Sequence, residues 1–148
     1  MRNISLAALV VAIACSSPPP ANIPDETRTP MTPNDLSTSL SVDIGRDSVG
    51  LVLHLTNSGT QPLVLEFNST QRYDFQVQKA SGETVWTWSA DKLFGQMMGT
   101  ETIAAGESRE YRAGWEAGNQ TGTFVAVGRV VAMNKPIEQR TQFEIRAR

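Results

Sequence analysis

Two short runs of alternating apolar residues, separated by a Ser81-Gly82 turn, occupy the middle of the chain. The alternating positions are Tyr73, Phe75 and Val77 in the first run and Trp86 and Trp88 in the second. Successive side chains of a β-strand point to opposite faces, so each set can be buried on one side of its strand. This stretch therefore predicts two strands that contribute aromatic side chains to a β-core, with Trp86 and Trp88 inside it.

The same period of two recurs in short runs over residues 37–148. Its apolar faces are Leu40, Val42 and Ile44; Leu51, Leu53 and Leu55; Leu63, Leu65 and Phe67; Tyr111, Ala113 and Trp115; and Phe143 and Ile145. Gly, Asn and Ser turn signals separate the runs at a spacing of roughly 8–12 residues, which is typical of an antiparallel sandwich. We predict one all-β domain. Both alternations of residues 124–133 are apolar and indicate no single buried face, and Gly114 predicts a bulge beside Trp115.

The first residues have a different character. Arg2 is followed by a nearly continuous apolar run, Ile4 to Ala14, which is too short to span a bilayer but has the length of a signal-peptide core. Cys15 follows Ala12-Ile13-Ala14 directly and resembles the acylated cysteine of bacterial lipoproteins. We expect residues 1–14 to be a lipoprotein signal peptide and Cys15 to carry the lipid that anchors the protein. The alternative is an ordinary A-x-A cleavage site that leaves a free thiol.

Residues 15–36 are rich in proline and poor in apolar side chains. The prolines are Pro18, Pro19, Pro20, Pro24, Pro30 and Pro33. Proline lacks a backbone donor and favours extended conformations, so we expect a flexible tether between the lipid and the domain at 37–148. Ser16, in place of an acidic residue after Cys15, suggests delivery to the outer membrane. The domain is then exported and faces the periplasm or the cell surface.

Charge and motif content exclude several functions. The net charge is −2 and no block of Lys and Arg is present, so nucleic-acid binding lacks its electrostatic basis. His54 is the only histidine, and it lies on the strand face opposite Leu53 and Leu55, so we expect neither a metal site nor a cofactor.

One motif imitates that of a catalytic site. Ser89 and Lys92 match the S-x-x-K spacing of penicillin-binding enzymes, but the two further motifs of those enzymes are missing. We expect Ser89 to end a strand and cap a short turn. We predict no catalytic residue and no enzymatic activity.

Two segments carry a family resemblance. Arg72-Tyr73-Asp74-Phe75 followed by Trp86-x-Trp88-Ser89 resembles the BsuPI family of intracellular proteinase inhibitor domains, and the similarity extends from about Leu51 to Ile145. The resemblance implies an immunoglobulin-like β-sandwich and inhibition of a serine proteinase without a covalent step or a cofactor. The segment Gly118-Asn119-Gln120 is shorter than its counterpart in many relatives.

The connector between Ala90 and Gly99 is the leading candidate for a binding surface. Its candidate contact residues are Lys92, Leu93, Phe94, Met97 and Met98. We expect Leu93 and Phe94 to plug one end of the sandwich. The alternative is that this adaptable apolar connector presents its side chains to a proteinase cleft.

Arg72 and Asp74 should point away from Tyr73 and Phe75. We expect a cross-strand hydrogen bond or ion pair, or alternatively a recognition surface that includes Arg72. The favoured function is a non-catalytic inhibitor of BsuPI type displayed at the bacterial envelope. The alternative is a structural lipoprotein whose domain binds other envelope proteins or cell-wall polymers. The expected partners are a membrane, through Cys15, and a serine proteinase or another envelope protein.

Overall fold

The alternating pattern folds as nine β-strands in the computed structural model, which describes residues 35–147. The strands are β1 (Leu36–Ile44), β2 (Ser48–Asn57), β3 (Leu63–Phe67), β4 (Tyr73–Lys79), β5 (Thr84–Thr87), β6 (Gly99–Ile103), β7 (Ser108–Glu116), β8 (Gly122–Val130) and β9 (Ile137–Ile145). A 3-10 turn, Trp88–Asp91, follows β5. The predicted lipoprotein signal peptide and Cys15, with nearly all of the predicted tether, lie outside the described residues.

All the pairings are antiparallel. The sheets have the strand orders β1-β2-β7, β5-β4-β8-β9 and β3-β6. Together they form an immunoglobulin-like sandwich, which confirms the predicted all-β fold. Within residues 35–147, no helix is long and apolar enough to cross a bilayer.

The core consists of the faces that the alternation predicted. Leu51, Leu53 and Leu55 on β2 have no exposed surface, and the inward residues of β3 are also buried. On β4, Phe75 and Val77 are fully buried, whereas Tyr73 is half-buried. The register pairs Leu53 with Tyr111 of β7, which brings the aromatic face of β7 beside the leucines. The period of two places these side chains on one face of each strand, and burial of that face between two sheets stabilises the fold.

The position of β8 in its sheet explains why both alternations of its sequence are apolar. Phe124, Ala126 and Val130 belong to the core, whereas Val127 on the alternate face is also fully buried. β8 lies between β4 and β9 in the four-stranded sheet, so neighbouring strands flank it on both sides. An interior strand of this kind can be apolar on both faces.

Three local expectations are wrong. β2 and β7 keep a regular register at Gly114, opposite Gly50, so no bulge occurs there. The register shift lies between Val77 and Gln78, where β4 pairs with β5. Trp88 begins the 3-10 turn after β5, and Ile44 is 46% exposed at the end of β1, where the sandwich no longer covers it.

Candidate functional site

Four aromatic rings fasten the connector between β5 and β6 to the domain. The ring of Tyr73 stacks on that of Trp88 at a centroid distance of 4.4 Å. The ring of Tyr73 also contacts that of Tyr111, at a centroid distance of 5.0 Å. Phe94 approaches Trp88 at 6.0 Å and is half-buried. Aromatic contacts at these distances favour one arrangement of the rings. The first part of the connector therefore packs on a row of aromatic rings that begins at the buried Tyr111.

Asp74 holds the 3-10 turn against the outer face of β4. One oxygen of its carboxylate accepts a hydrogen bond from the Ser89 hydroxyl at 2.8 Å, and the other accepts the Ser89 backbone N–H at 3.1 Å. The backbone N–H of Phe75 also donates to Asp74, at 2.9 Å. Hydrogen bonds to a carboxylate are stronger than neutral ones. Asp74 thus forms the hydrogen bond expected of it, and its partner is the turn that leads into the connector.

Ser89 and Lys92 do not form a nucleophile and base. The hydroxyl of Ser89 is committed to Asp74, and the ammonium of Lys92 lies 2.9 Å from Asp91 and 4.8 Å above the ring of Trp88. The hydrogen bond from Lys92 lowers the pKa of the exposed Asp91 carboxyl below its usual range. The predicted side-chain cap is also wrong, because the residue before the turn, Thr87, makes no side-chain cap bond. The S-x-x-K spacing has a structural role here.

A second anchor fixes the middle of the connector to the loop before β4. The carbonyl of Gly95 accepts a hydrogen bond from the backbone N–H of Thr70 at 2.9 Å, and the N–H of Gly95 donates to the Thr70 hydroxyl at 2.9 Å. The N–H of Met97 donates to the Gly95 carbonyl at 3.0 Å. The connector is thus bonded to the domain on both sides of Leu93.

Arg72 secures the far end of the connector. Its guanidinium donates to the Ser69 carbonyl at 2.6 Å, contacts Glu101 of β6 at 3.2 Å and lies 4.5 Å above the Phe67 ring. A side chain at Gly99 would meet this guanidinium at 2.7 Å, so glycine allows the close approach. Arg72 forms the expected ion pair, with Glu101 as its partner.

Glu101 also accepts a hydrogen bond from the Tyr111 hydroxyl, at 2.8 Å. Burial and then the neighbouring Glu101 raise the pKa of Tyr111, so the phenol stays protonated and remains a donor. Sequence reasoning missed Thr70, Glu101 and Tyr111 as parts of this site. The alternation placed Tyr111 in the core, but no local signal could identify its partner on another strand.

The residues between these anchors are exposed. Leu93 is fully exposed, and Met97 and Met98 are 66% and 70% exposed. The expectation that Leu93 plugs the sandwich is wrong, whereas Phe94 does pack, on Trp88. The connector therefore presents three large apolar side chains on a backbone that is bonded to the domain.

The two tryptophans of the central stretch are half-buried, so they are less enclosed than the predicted core positions. They line a cleft of about 320 Å³ with Asp91, Lys92 and residues 114–116 of β7, where Trp115 is buried. A larger cleft of about 760 Å³ is lined by residues 44–47, 118–121 and 144–147. The first cleft adjoins the connector and extends the candidate surface.

His54 is not part of this site. Its ring nitrogen lies 3.0 Å from the carboxylate of Glu110 on β7, on the face opposite the leucines. Among residues 35–147, no three His, Cys, Asp or Glu side chains are grouped so that they could hold a metal ion.

Comparison with solved structures finds similarities at low identity, with TM-scores below 0.5. The penta-heme cytochrome c552 from Thermochromatium tepidum is 10% identical and matches 76% of this chain and 40% of its own, with a TM-score of 0.49. The sporulation control protein Spo0M from Bacillus subtilis is 12% identical and matches 76% of this chain and 49% of its own, with a TM-score of 0.46. The chain thus spans less than half of either protein, and no curated protein sequence matches it.

The sequence model of one family matches about two thirds of the chain. The model of the BsuPI domain, described as an intracellular proteinase inhibitor, matches residues 36–135. This range contains β1 to β8 and the whole connector with its anchors. The chain therefore belongs to the BsuPI family.

Proposed function

We propose that this protein is a non-catalytic proteinase inhibitor displayed at the bacterial envelope, and that the connector between β5 and β6 is the surface that contacts the proteinase. Family membership supports inhibition. The observation that supports this surface is the combination of exposed Leu93, Met97 and Met98 with bonds that hold the connector on both sides. A binding segment that is already held in place loses less conformational entropy when it binds.

Inhibition by this surface needs no catalytic group of the inhibitor. A rigid domain that carries an exposed apolar segment can fill an enzyme cleft and exclude substrate, without a reaction of its own. Buried apolar side chains at the centre of such an interface carry much of the binding free energy. Ser89 and Lys92, the residues with a catalytic spacing, contribute by fixing the start of the connector.

The test compares two triple variants of the full-length chain, purified in mild detergent. One carries Leu93→Ala, Met97→Ala and Met98→Ala. Its matched control carries Ile44→Ala, Val64→Ala and Met133→Ala, the three other large apolar residues that are exposed in the described part of the chain. Inhibition constants are measured against subtilisin-, chymotrypsin- and trypsin-like proteinases.

We expect the connector variant to lose inhibition at least tenfold, which corresponds to about 1.4 kcal/mol, and the control to stay within about twofold. Equal effects of the two variants, or inhibition that survives the connector variant unchanged, would contradict the assignment of the surface. Circular dichroism and thermal unfolding of each variant exclude misfolding as the cause.

The envelope location is a separate part of the proposal. It is supported by the charge at Arg2, the apolar run from Ile4 to Ala14 and the position of Cys15. Two or more acyl chains hold a protein stably at a bilayer, whereas one chain does so marginally. The proteinase would then be extracytoplasmic, whereas the family description names an intracellular inhibitor.

Palmitate labelling of producing cells tests the anchor. The wild-type protein should incorporate label and sediment with membranes, and Cys15→Ser should do neither. Label that persists in Cys15→Ser would refute lipidation at this residue. Capture of envelope polymers or scaffolding proteins, without inhibition of any proteinase, would favour the structural lipoprotein instead.

A further inference from the structure

Leu93 is the most exposed large apolar side chain between residues 35 and 147. The residues before and after it both contact the ring of Trp88. The Lys92 ammonium lies 4.8 Å from the centre of that ring, and the ring of Phe94 lies 6.0 Å from it. A leucine in solvent gains nothing for the stability of the fold. Its position between two anchored residues therefore suggests a role in contact with another molecule.

The backbone around Leu93 has the shape of a proteinase substrate. Lys92 is extended, with φ −113° and ψ 149°, and Leu93 and Phe94 lie in an irregular segment ahead of the tight turn that the Met97 N–H closes onto the Gly95 carbonyl. Serine proteinases hold the residue before the scissile bond with its side chain in a specificity pocket, which is an apolar slot in chymotrypsin and contains an aspartate in trypsin. A fully exposed leucine that directly follows an extended residue matches the apolar slot.

Lys92 is less suited to such a pocket. Its ammonium is bonded to Asp91 at 2.9 Å and its side chain is only 35% exposed, so entry into a pocket would break both of its present contacts. Met97 lies beyond the Gly95 anchor, where its N–H is bonded to the Gly95 carbonyl. The geometry favours the leucine over its neighbours.

We propose that Leu93 enters the primary specificity pocket of a serine proteinase that prefers large apolar residues, with the Leu93–Phe94 bond at the catalytic serine. This inference rests on the proposed inhibitory function and adds the class of the target enzyme. Met97 and Met98 then contact the enzyme on the leaving-group side of the bond.

The anchors explain how such a complex resists turnover. Attack of the proteinase serine oxygen on the Leu93 carbonyl carbon forms an ester and breaks the bond to the nitrogen of Phe94, which takes up the proton. Phe94 stays packed on Trp88, and Gly95 stays bonded to Thr70. The amine therefore remains beside the ester, and the reverse reaction, which returns the proton and reforms the peptide bond, competes with hydrolysis.

The experiment exchanges the specificity of the full-length protein. Inhibition constants for chymotrypsin and trypsin are measured with wild type, Leu93→Arg, Leu93→Phe and Lys92→Ala. We expect wild type and Leu93→Phe to inhibit chymotrypsin. For Leu93→Arg, the inhibition constant should rise at least tenfold with chymotrypsin and fall at least tenfold with trypsin. Lys92→Ala should weaken inhibition of chymotrypsin, because Lys92 helps to hold the connector, but chymotrypsin should remain preferred over trypsin. Since Leu93 is fully exposed, its substitution should leave the melting temperature unchanged.

A second readout identifies the bond. After long incubation with chymotrypsin, mass spectrometry should detect slow cleavage between Leu93 and Phe94 ahead of any other site in residues 35–147. Two results would overturn the assignment of Leu93 but leave the connector as the inhibitory surface. In the first, Leu93→Arg still prefers chymotrypsin. In the second, the wild-type protein inhibits trypsin and Lys92→Ala abolishes that inhibition. Inhibition of neither enzyme together with first cleavage elsewhere would also overturn it. The proposed inhibitory function itself fails if the wild-type protein inhibits none of the subtilisin-, chymotrypsin- and trypsin-like proteinases, and the connector fails as the inhibitory surface if the triple variant retains all inhibition.

Discussion

Asn57 is the one polar residue without exposed surface in the described part of the chain. Its side-chain amide donates to the carbonyls of Ile103 and Gln61 at 2.9 and 2.8 Å, and its side-chain oxygen accepts the N–H of Gly59 at 3.1 Å. A single side chain thus connects the end of β2 to the end of β6 and to the loop before β3. Such a residue stabilises the fold because each of its polar atoms has a partner.

Asn57→Ala should lower the free energy of unfolding by roughly 2–3 kcal/mol, because the Ile103 carbonyl loses a donor in a buried place and the Gly59 N–H keeps only its 3.2 Å bond to the Asp35 carbonyl. The measurement is urea unfolding followed by circular dichroism. The exposed Asn68 provides the matched control, for which Asn68→Ala should change stability by less than about 0.5 kcal/mol. Similar losses in both variants would show that the buried amide has no special role.

Glu138 predicts a response to acid. Hydrogen bonds from Arg129 at 2.5 Å and then from Arg140 at 2.7 Å lower the pKa of Glu138 below its ordinary value of 4.5. The unfolded chain therefore binds the proton more readily than the folded one. The resulting stabilisation is fully present above pH 4.5 and is lost as the pH falls through the lowered folded pKa.

Glu138→Gln should consequently reduce stability at pH 7 and reduce it less at low pH, so that the two unfolding curves converge in acid. The effect should be small and should shrink in high salt, since the side chain is 40% exposed. Glu116→Gln, at an exposed carboxylate with no ion pair to any residue in the range 35–147, is the control. A constant difference between Glu138→Gln and wild type across the pH range would contradict the linkage.

At the scale of the element, two strand glycines have opposite surroundings. A Cβ atom at Gly128 of β8 would lie 3.1 Å from Phe75 and 3.2 Å from Leu40, both buried, whereas at Gly114 of β7 no atom lies within 4 Å. Gly128 is therefore required where β8 passes under the core. Gly114 costs conformational entropy without a packing reason.

The same substitution at these two positions should change stability with opposite signs. Gly128→Ala should destabilise the domain by about 1 kcal/mol, because the buried ring of Phe75 has little room to move. Gly114→Ala should stabilise it by about 0.5 kcal/mol. The measurement is the urea midpoint of each variant and of the wild type. A Gly128→Ala variant that is as stable as Gly114→Ala would show that β8 is less tightly packed than described.

Both faces of β4 contribute to the candidate site. β4 contributes Tyr73 and Asp74 to the same connector from opposite faces, since one packs on Trp88 and the other binds Ser89. The alternation along the strand predicted that these side chains diverge. It did not predict that the following turn would contact both, because the path of a turn depends on tertiary packing.

At the scale of the molecule, β9 belongs to the folding unit although the family match ends at residue 135. β9 pairs with β8 along nine residues, and Phe143 stacks on Phe124 at 5.8 Å inside the core. Side-chain bonds from Thr141 and Gln139 connect β9 to β1 of the other sheet. β9 thus links the two sheets of the sandwich at this side.

A chain that ends at Lys135 should fail to show a cooperative unfolding transition, because the edge of β8 and part of the core become exposed. A chain that ends at Ile145 keeps β9 and should unfold with the wild-type midpoint. Both are compared with the full-length protein by circular dichroism in urea. Cooperative unfolding of the shorter chain at the wild-type midpoint would show that β9 is dispensable.

The period of two and the turn residues are local properties of the chain, and they predicted the all-β class, most of the buried faces of β2, β3 and β4, and the position of the connector between β5 and β6. The tertiary arrangement selected which of the connector's apolar residues pack and which face solvent. It also selected the partners of Arg72, Asp74 and Tyr111, which lie on segments distant in sequence. Alternation records which face of a strand is buried, whereas contacts between elements depend on how the sheets and loops are arranged in space.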